Sequence, residues 1–170
     1  MKTNIKSVDP VIDSLAEKIA GYTGYGSLQH RHQTDSSVRT YLSSKLQLIL
    51  NRIATIGDQL IKDGGREYHG AFHQIFKSLK TIIDSLHNPC YSNHSFFSTQ
   101  TISQSLVNQL YHYDSQLIDQ IIILEEESTE LTAKTDAPEI AEIVNHLYDL
   151  IDGINQTLTE REFIIMGESA

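Results

Sequence analysis

The fold of this chain is decided by residues 42–60, which read LSSKLQLILNRIATIGDQL. Their apolar side chains recur at alternating steps of four and three residues, at Leu42, Leu46, Ile49, Ile53, Ile56 and Leu60. This alternation places all six on one face of an α-helix. Gly64 and Gly65 follow and end the helix. The stretch therefore predicts a long helix whose apolar face must be covered by other helices.

The same alternation returns three times towards the C-terminus. The third helix carries it at Tyr68, Phe72, Ile75, Leu79, Ile82 and Leu86, and the fifth at Ile140, Val144, Leu147, Ile151, Ile154 and Leu158. The fourth carries Leu106, Leu110, Tyr113, Leu117, Leu124 and Leu131, with Gln120 and Glu127 at the intervening positions. Asn88-Pro89 ends the third helix, and capping boxes are predicted at Thr101/Gln104 and Asp136/Glu139.

A short helix precedes the deciding stretch. Asp9-Pro10 is a typical helix start, and Val11, Leu15 and Ile19 then line one face until Gly21. We therefore predict an all-α fold, an up-down-up-down antiparallel four-helix bundle with a short additional N-terminal helix. Residues 1–26 would form the short helix and a Gly/Tyr loop, and residues 27–170 the bundle, within a single domain.

Composition and charge exclude several classes of function. The 170 residues include 13 Lys and Arg against 22 Asp and Glu, and the net charge of -9 argues against nucleic acid or an anionic membrane as a partner. Cys90 is the single cysteine, which is typical of a reducing cytosol, and Ile121–Leu124 is far too short to span a membrane. We predict a cytoplasmic protein with no membrane and no nucleic-acid partner.

The charge is divided unevenly along the chain. Residues 1–80 carry 11 basic and 7 acidic side chains, whereas residues 81–170 carry 2 basic and 15 acidic ones. The C-terminal half therefore predicts an acidic outer surface and a basic protein partner.

Some helices carry more apolar residues than are needed for one seam, which is the single apolar stripe along one face of a helix. These are Ile118, Ile121, Ile122 and Ile123 in the fourth helix, and Phe163, Ile164 and Ile165 near the C-terminus. A helix that is apolar all round is covered by other elements or lies in an interface. We predict a homodimer that uses these surplus faces.

A first candidate site is the glycine-rich loop at residues 21–26. Tyr22 and Tyr25 lie within it, and Arg31 and Arg39 supply positive charge nearby. This combination predicts a site for a small anion or another ligand, and a sensing function.

A second candidate site is acidic. Glu126, Glu127 and Glu130 form Glu-Glu-x-x-Glu, and Glu142 begins Glu-Ile-Val-Asn145 twelve residues later. The pattern resembles the magnesium site of the all-α nucleotide pyrophosphohydrolases, the MazG-like family, although Asn145 stands where that family has Asp. The resemblance implies Mg²⁺ held by these glutamates against a nucleoside triphosphate.

Separately, His69 and His73 are spaced i, i+4 and could share one metal ion. No complete catalytic motif is present, so we assign no catalytic residue and no cofactor. The leading prediction is a non-catalytic helical-bundle module that acts through protein–protein interaction. The alternatives are a Mg-dependent nucleotide pyrophosphohydrolase and a bundle that senses a small anion or ligand.

Overall fold

The computed structural model describes residues 10–134 and 137–167, and every regular element in these ranges is a helix. The all-α prediction is thus confirmed. The α-helices are α1 (Pro10–Lys18), α2 (Leu28–Lys62), α3 (His69–His87), α4 (Gln104–Glu130) and α5 (Ala137–Met166). Single 3-10 turns lie at Arg66–Tyr68, Ser95–Phe97 and Leu131–Ala133. Among the described helices, none is long and apolar enough to cross a membrane.

Two helix ends show how local chemistry sets the boundaries. After α2, Gly64 adopts a φ of +107°, a left-handed conformation that costs glycine little, and the chain turns into α3. At the start of α4, the hydroxyl of Ser103 accepts a hydrogen bond from the Leu106 amide at 3.2 Å. The predicted capping box at Thr101/Gln104 is therefore wrong, and the predicted cap at Asp136 lies outside the described residues.

The four long helices pack in a ring in which α2 and α5 each contact both α3 and α4. Helices α2 and α3 run antiparallel, since Arg39 near the start of α2 bonds to the Leu86 carbonyl at the end of α3, at 2.9 Å. Helices α4 and α5 are also antiparallel, because Gln120 bonds to Thr157 at 3.1 Å while Glu127 pairs with His146 at 3.0 Å.

Helices α2 and α4, by contrast, lie side by side in the same direction. Lys45 pairs with Glu125 at 3.1 Å, and Arg52 further along α2 donates to Ser128 further along α4 at 2.9 Å. This differs from the expectation that every helix is antiparallel to its neighbours. The reason is the connection at residues 88–103, which is long enough to carry the chain across the end of the helices and place α4 beside α2.

The core consists of the apolar seams of the four long helices, such as Leu46, Ile75, Leu117 and Leu147, all fully buried. In α4 Leu110, Leu117 and Leu124 are buried as predicted, but each of the other seam positions lies one residue further along the chain than predicted. The buried residues of α4 are Val107, Leu110, Tyr111, Asp114, Leu117, Ile118, Ile121, Leu124 and Ser128. The assignment of Gln120 and Glu127 to seam positions is therefore wrong.

The surplus apolar residues divide into two groups. Ile118, Ile121 and Ile165 are buried within the one chain, and Phe163 and Ile164 are half-buried. Ile122 and Ile123 remain 38% and 43% exposed on the outer side of α4. The homodimer stays a prediction, and the apolar surface exposed for it is smaller than the sequence predicted.

Candidate functional site

One end of the helix ring is closed by two segments, residues 19–27 and the connection at residues 88–103. The start of α2, the end of α3, the start of α4 and the end of α5 all meet there. Gly21 and Gly24 adopt φ values of +82° and +84°, and these turns direct Tyr22 and Tyr25 inwards. Both tyrosines are buried, Tyr25 completely.

Beneath these segments lies a buried ion cluster, which we define as Asp35, Asp114 and Arg161 with the hydroxyls of Tyr22, Tyr25 and Tyr91. Arg161 is only 1% exposed, and Asp35 and Asp114 are 2% and 0% exposed. The Arg161 Nε donates to Asp114 Oδ1 at 2.7 Å, and its Nη2 donates to Asp35 Oδ1 at 2.9 Å. One guanidinium thereby joins a carboxylate of α2 to a carboxylate of α4.

The three tyrosine hydroxyls complete the hydrogen bonding of the buried ion cluster. Tyr25 donates to Asp114 Oδ2 at 2.7 Å and accepts from Arg161 Nη2 at 2.7 Å. Tyr91 donates to Asp35 Oδ1 at 3.0 Å and accepts from Arg161 Nη1 at 3.1 Å, and Tyr22 donates to Asp114 Oδ2 at 2.9 Å. Burying these charges is tolerable because each one is paired and hydrogen-bonded.

Arg39 balances the charge of the buried ion cluster from its edge. Its Nε donates to Asp35 Oδ2 at 2.9 Å, and its Nη1 caps the Leu86 carbonyl at the end of α3. Two arginines thus face two aspartates. Through its bond to Leu86, Arg39 also connects α3 to the network in which Arg161 joins α2, α4 and α5.

Burial shifts the protonation equilibria of this network. Burial raises the pKa of the Tyr22 hydroxyl above its usual range, and the neighbouring Asp114 raises it further. Burial likewise raises the pKa of Tyr25 and of Tyr91, against a smaller lowering by Arg161. For Arg161, burial alone would lower the pKa, but Tyr25, Asp114, Tyr91 and Asp35 together raise it well above the usual value. The tyrosines therefore stay neutral and Arg161 stays charged.

Arg31 ties the two closing segments to each other. Its Nε donates to the Tyr25 carbonyl at 3.0 Å, and its Nη1 donates to the carbonyls of Phe96 and Thr99 at 2.9 and 2.7 Å. The guanidinium also lies over the Phe96 ring, 5.4 Å from its centroid. Burial lowers the pKa of Arg31.

The structure therefore brings together all four residues of the predicted anion site. Tyr22, Tyr25 and Arg31 are buried, and Arg39 is half-buried. Their hydroxyl and guanidinium groups are engaged by carboxylates and carbonyls of the chain itself. The arrangement is that of a structural network, and the anion site stays a prediction.

Gly24 provides a test of how tightly the loop is held. We expect Gly24→Ala to destabilise the chain by about 2 kcal/mol, because a left-handed residue other than glycine costs roughly 1–2 kcal/mol. In addition, the Cβ of the new alanine would lie 2.7 Å from the Tyr111 hydroxyl, which accepts a hydrogen bond from the Tyr25 amide. Urea unfolding followed by circular dichroism measures the loss. Gly26→Ala in the same loop is the matched control, since its Cβ meets open space, and equal losses for both variants would contradict the account.

The four glutamates of the predicted magnesium site lie on the outer sides of α4 and α5. Glu127 Oε1 pairs with His146 Nδ1 at 3.0 Å, while Glu126, Glu130 and Glu142 are exposed. Within residues 10–134 and 137–167, no group of three or more His, Cys, Asp or Glu side chains is arranged to hold a metal ion. This placement of the four glutamates provides no observation that specifically supports the pyrophosphohydrolase alternative.

The predicted histidine pair lies elsewhere, at the start of α3. The rings of His69 and His73 are parallel to within 3°, and their centroids are 6.4 Å apart. They line a cavity of about 270 Å³ together with Asp58 of α2 and the exposed Phe76.

Sequence reasoning did not identify Asp35, Asp114 or Arg161 as members of a site. A signal was present, because Arg161 follows Leu158 by three residues and continues the seam of α5. No protein-family model, no curated protein and no solved structure matches this chain.

Proposed function

We propose that this chain is a non-catalytic, cytoplasmic module that acts by binding another protein, built as an up-down-up-down four-helix bundle with a short N-terminal helix. The alternating directions of α2 to α5 support the bundle, and the lone Cys90 supports the compartment. The polar groups of the buried ion cluster are bonded to one another, so we assign binding to the outer surface.

The observation that carries the proposal is the α4 outer face, which we define as Asp119, Ile122, Ile123, Glu126 and Glu130. Ile122 and Ile123 are 38% and 43% exposed. Glu126 and Glu130 form no ion pair with any side chain in the described ranges, and Asp119 reaches only Lys18, at 3.9 Å between two exposed groups. Adjacent exposed isoleucines beside uncompensated acids are typical of an interaction surface.

The charge of this face decides the kind of partner. A second copy would bring a chain of the same net charge, -9, against the same acids. A basic amphipathic helix would instead cover the two isoleucines with its apolar side and neutralise the carboxylates with Lys or Arg. We therefore favour a basic partner over self-association at the α4 outer face.

The test uses a synthetic helical peptide of about 18 residues with Leu at helical spacing and Lys elsewhere. We expect the protein to bind it, and we expect Ile122→Ser combined with Ile123→Ser to weaken binding at least tenfold, which is about 1.4 kcal/mol. Isothermal titration calorimetry measures the affinity. The matched control is Phe76→Ser, which removes an equally exposed apolar side chain from α3 and should leave the affinity unchanged.

Two outcomes would contradict the proposal. Equal binding by the parent and the double serine variant would mean that the peptide is held by unspecific charge attraction. Light scattering of the same preparation provides the second outcome. A mass of twice 19.2 kDa that returns to the monomer value in the double variant would show that a second copy occupies the face.

A further inference from the structure

We propose that His69 and His73 form a binding site for a first-row divalent cation such as Cu²⁺ or Zn²⁺. His69 is the first residue of α3 and His73 lies one turn later, so both side chains leave the helix on the same side. Both are exposed, and neither ring hydrogen-bonds to another residue of the described ranges. Two neutral imidazoles at this spacing are a recurrent pair of metal ligands.

The separation of the two imidazoles is compatible with a site that closes around the ion when the exposed side chains rotate. A tetrahedral ion with metal–nitrogen distances of about 2.0–2.1 Å holds two imidazole centroids about 5 Å apart. The centroids of the His69 and His73 rings are 6.4 Å apart, and the rings are stacked with their planes parallel to within 3°. The two exposed side chains therefore have to rotate, so that their ring nitrogens point to one ion, and their centroids have to approach by about 1.4 Å.

Helix α2 supplies the opposite wall of the cavity. Asp58 lines the same cavity, is exposed, and makes no ion pair with a described residue. The neighbouring Gly57 packs directly under the Phe72 ring, where an added Cβ would lie 2.9 Å from the ring. This close packing fixes α3 against α2 beside the histidines. Water completes the coordination around the two imidazoles.

The position of the pair also gives the ion a structural effect. The first turn of α3 has no side-chain cap, and the His69 amide donates to the Arg66 carbonyl of the preceding 3-10 turn. An ion that joins the first and fifth residues of α3 clamps this turn in the helical conformation. Binding should therefore stabilise the α2–α3 end of the molecule.

The test titrates the full chain with Cu²⁺ alone and records the electron paramagnetic resonance spectrum, together with the affinity from calorimetry. We expect one equivalent of Cu²⁺ to bind tightly, coordinated by two imidazole nitrogens. His73→Ala should weaken binding at least tenfold and leave a single nitrogen. His112→Ala is the matched control, since His112 is an exposed histidine on α4, and it should change neither the spectrum nor the affinity.

Zn²⁺ provides an independent readout through stability. We expect Zn²⁺ to raise the melting temperature of the parent and of His112→Ala, but not that of His73→Ala. The variants remove exposed side chains, and far-ultraviolet circular dichroism verifies that they keep their helices. Parent-like Cu²⁺ binding by His73→Ala, or loss of binding in His112→Ala, would overturn the proposal.

Discussion

Arg161→Met is expected to lower the free energy of unfolding by about 3–5 kcal/mol, which is the cost of removing one partner from a buried ion network. Methionine approximates the length of arginine, so the main loss is charge and hydrogen bonding rather than volume. Asp35 and Asp114 would stay buried without their common cation, and the Tyr25 and Tyr91 hydroxyls would each lose a donor. Urea unfolding followed by circular dichroism measures the effect.

Two controls isolate the network as the cause. Arg66→Met removes an exposed arginine at the turn before α3 and should cost less than about 0.5 kcal/mol. Combining Arg161→Met with Asp35→Asn and Asp114→Asn should recover part of the stability, because the fully buried carboxylates are then uncharged and Arg39, which loses its ionic partner, is 21% exposed. A loss below about 1 kcal/mol for Arg161→Met alone would show that the cluster is not needed for stability.

The second large effect is expected in alkali. The pKa values of Tyr22, Tyr25 and Tyr91 are raised above 10 in the folded chain, with burial as the largest cause. Above about pH 10 the unfolded chain releases these three protons and the folded chain keeps them, so the unfolded state binds fewer protons and stability falls as pH rises. Three such groups give a slope of about 4 kcal/mol per pH unit, at about 1.4 kcal/mol each.

The chain is well suited to this measurement, since it has eight tyrosines and no tryptophan. Tyrosinate absorbance near 295 nm should show a late, cooperative step that coincides with the loss of helical circular dichroism. Tyr22→Phe should reduce the slope of stability against pH by about 1.4 kcal/mol per pH unit. Ionisation of all eight tyrosines in one gradual step, with the helices intact, would rule out the buried network.

Much of the fold could be predicted from residue spacing. The seam from Leu42 to Leu60 is buried or half-buried in α2 as the alternation requires, and Gly64 ends that helix by a left-handed turn. These features depend on local chemistry, which neighbouring residues determine. The register of α4 could not be predicted in the same way, because Leu106 and Val107 offer two adjacent apolar starts and only packing chooses between them.

The buried ion cluster could not be predicted because its members look like the ends of seams. Arg161 continues the seam of α5 beyond Leu158, Asp114 follows Leu110 by four residues, and Asp35 precedes Val38 by three. Each residue alone suggests that a helix has left the core. Only the tertiary arrangement, in which the connection at residues 88–103 places α4 beside α2, brings the three charges to one point.

The buried ion cluster also bears on the order in which the molecule assembles. Arg161 and Tyr25 are 136 positions apart in the chain, whereas the α2–α3 and α4–α5 hairpins need only local closure. Contacts of such long range close the largest loop and gain their energy only after the hairpins exist. We therefore expect the buried ion cluster to form last, after the two hairpins have packed together. Its contribution to stability should then slow unfolding far more than it speeds folding. The stability lost in Arg161→Met should therefore appear mainly as a faster unfolding rate.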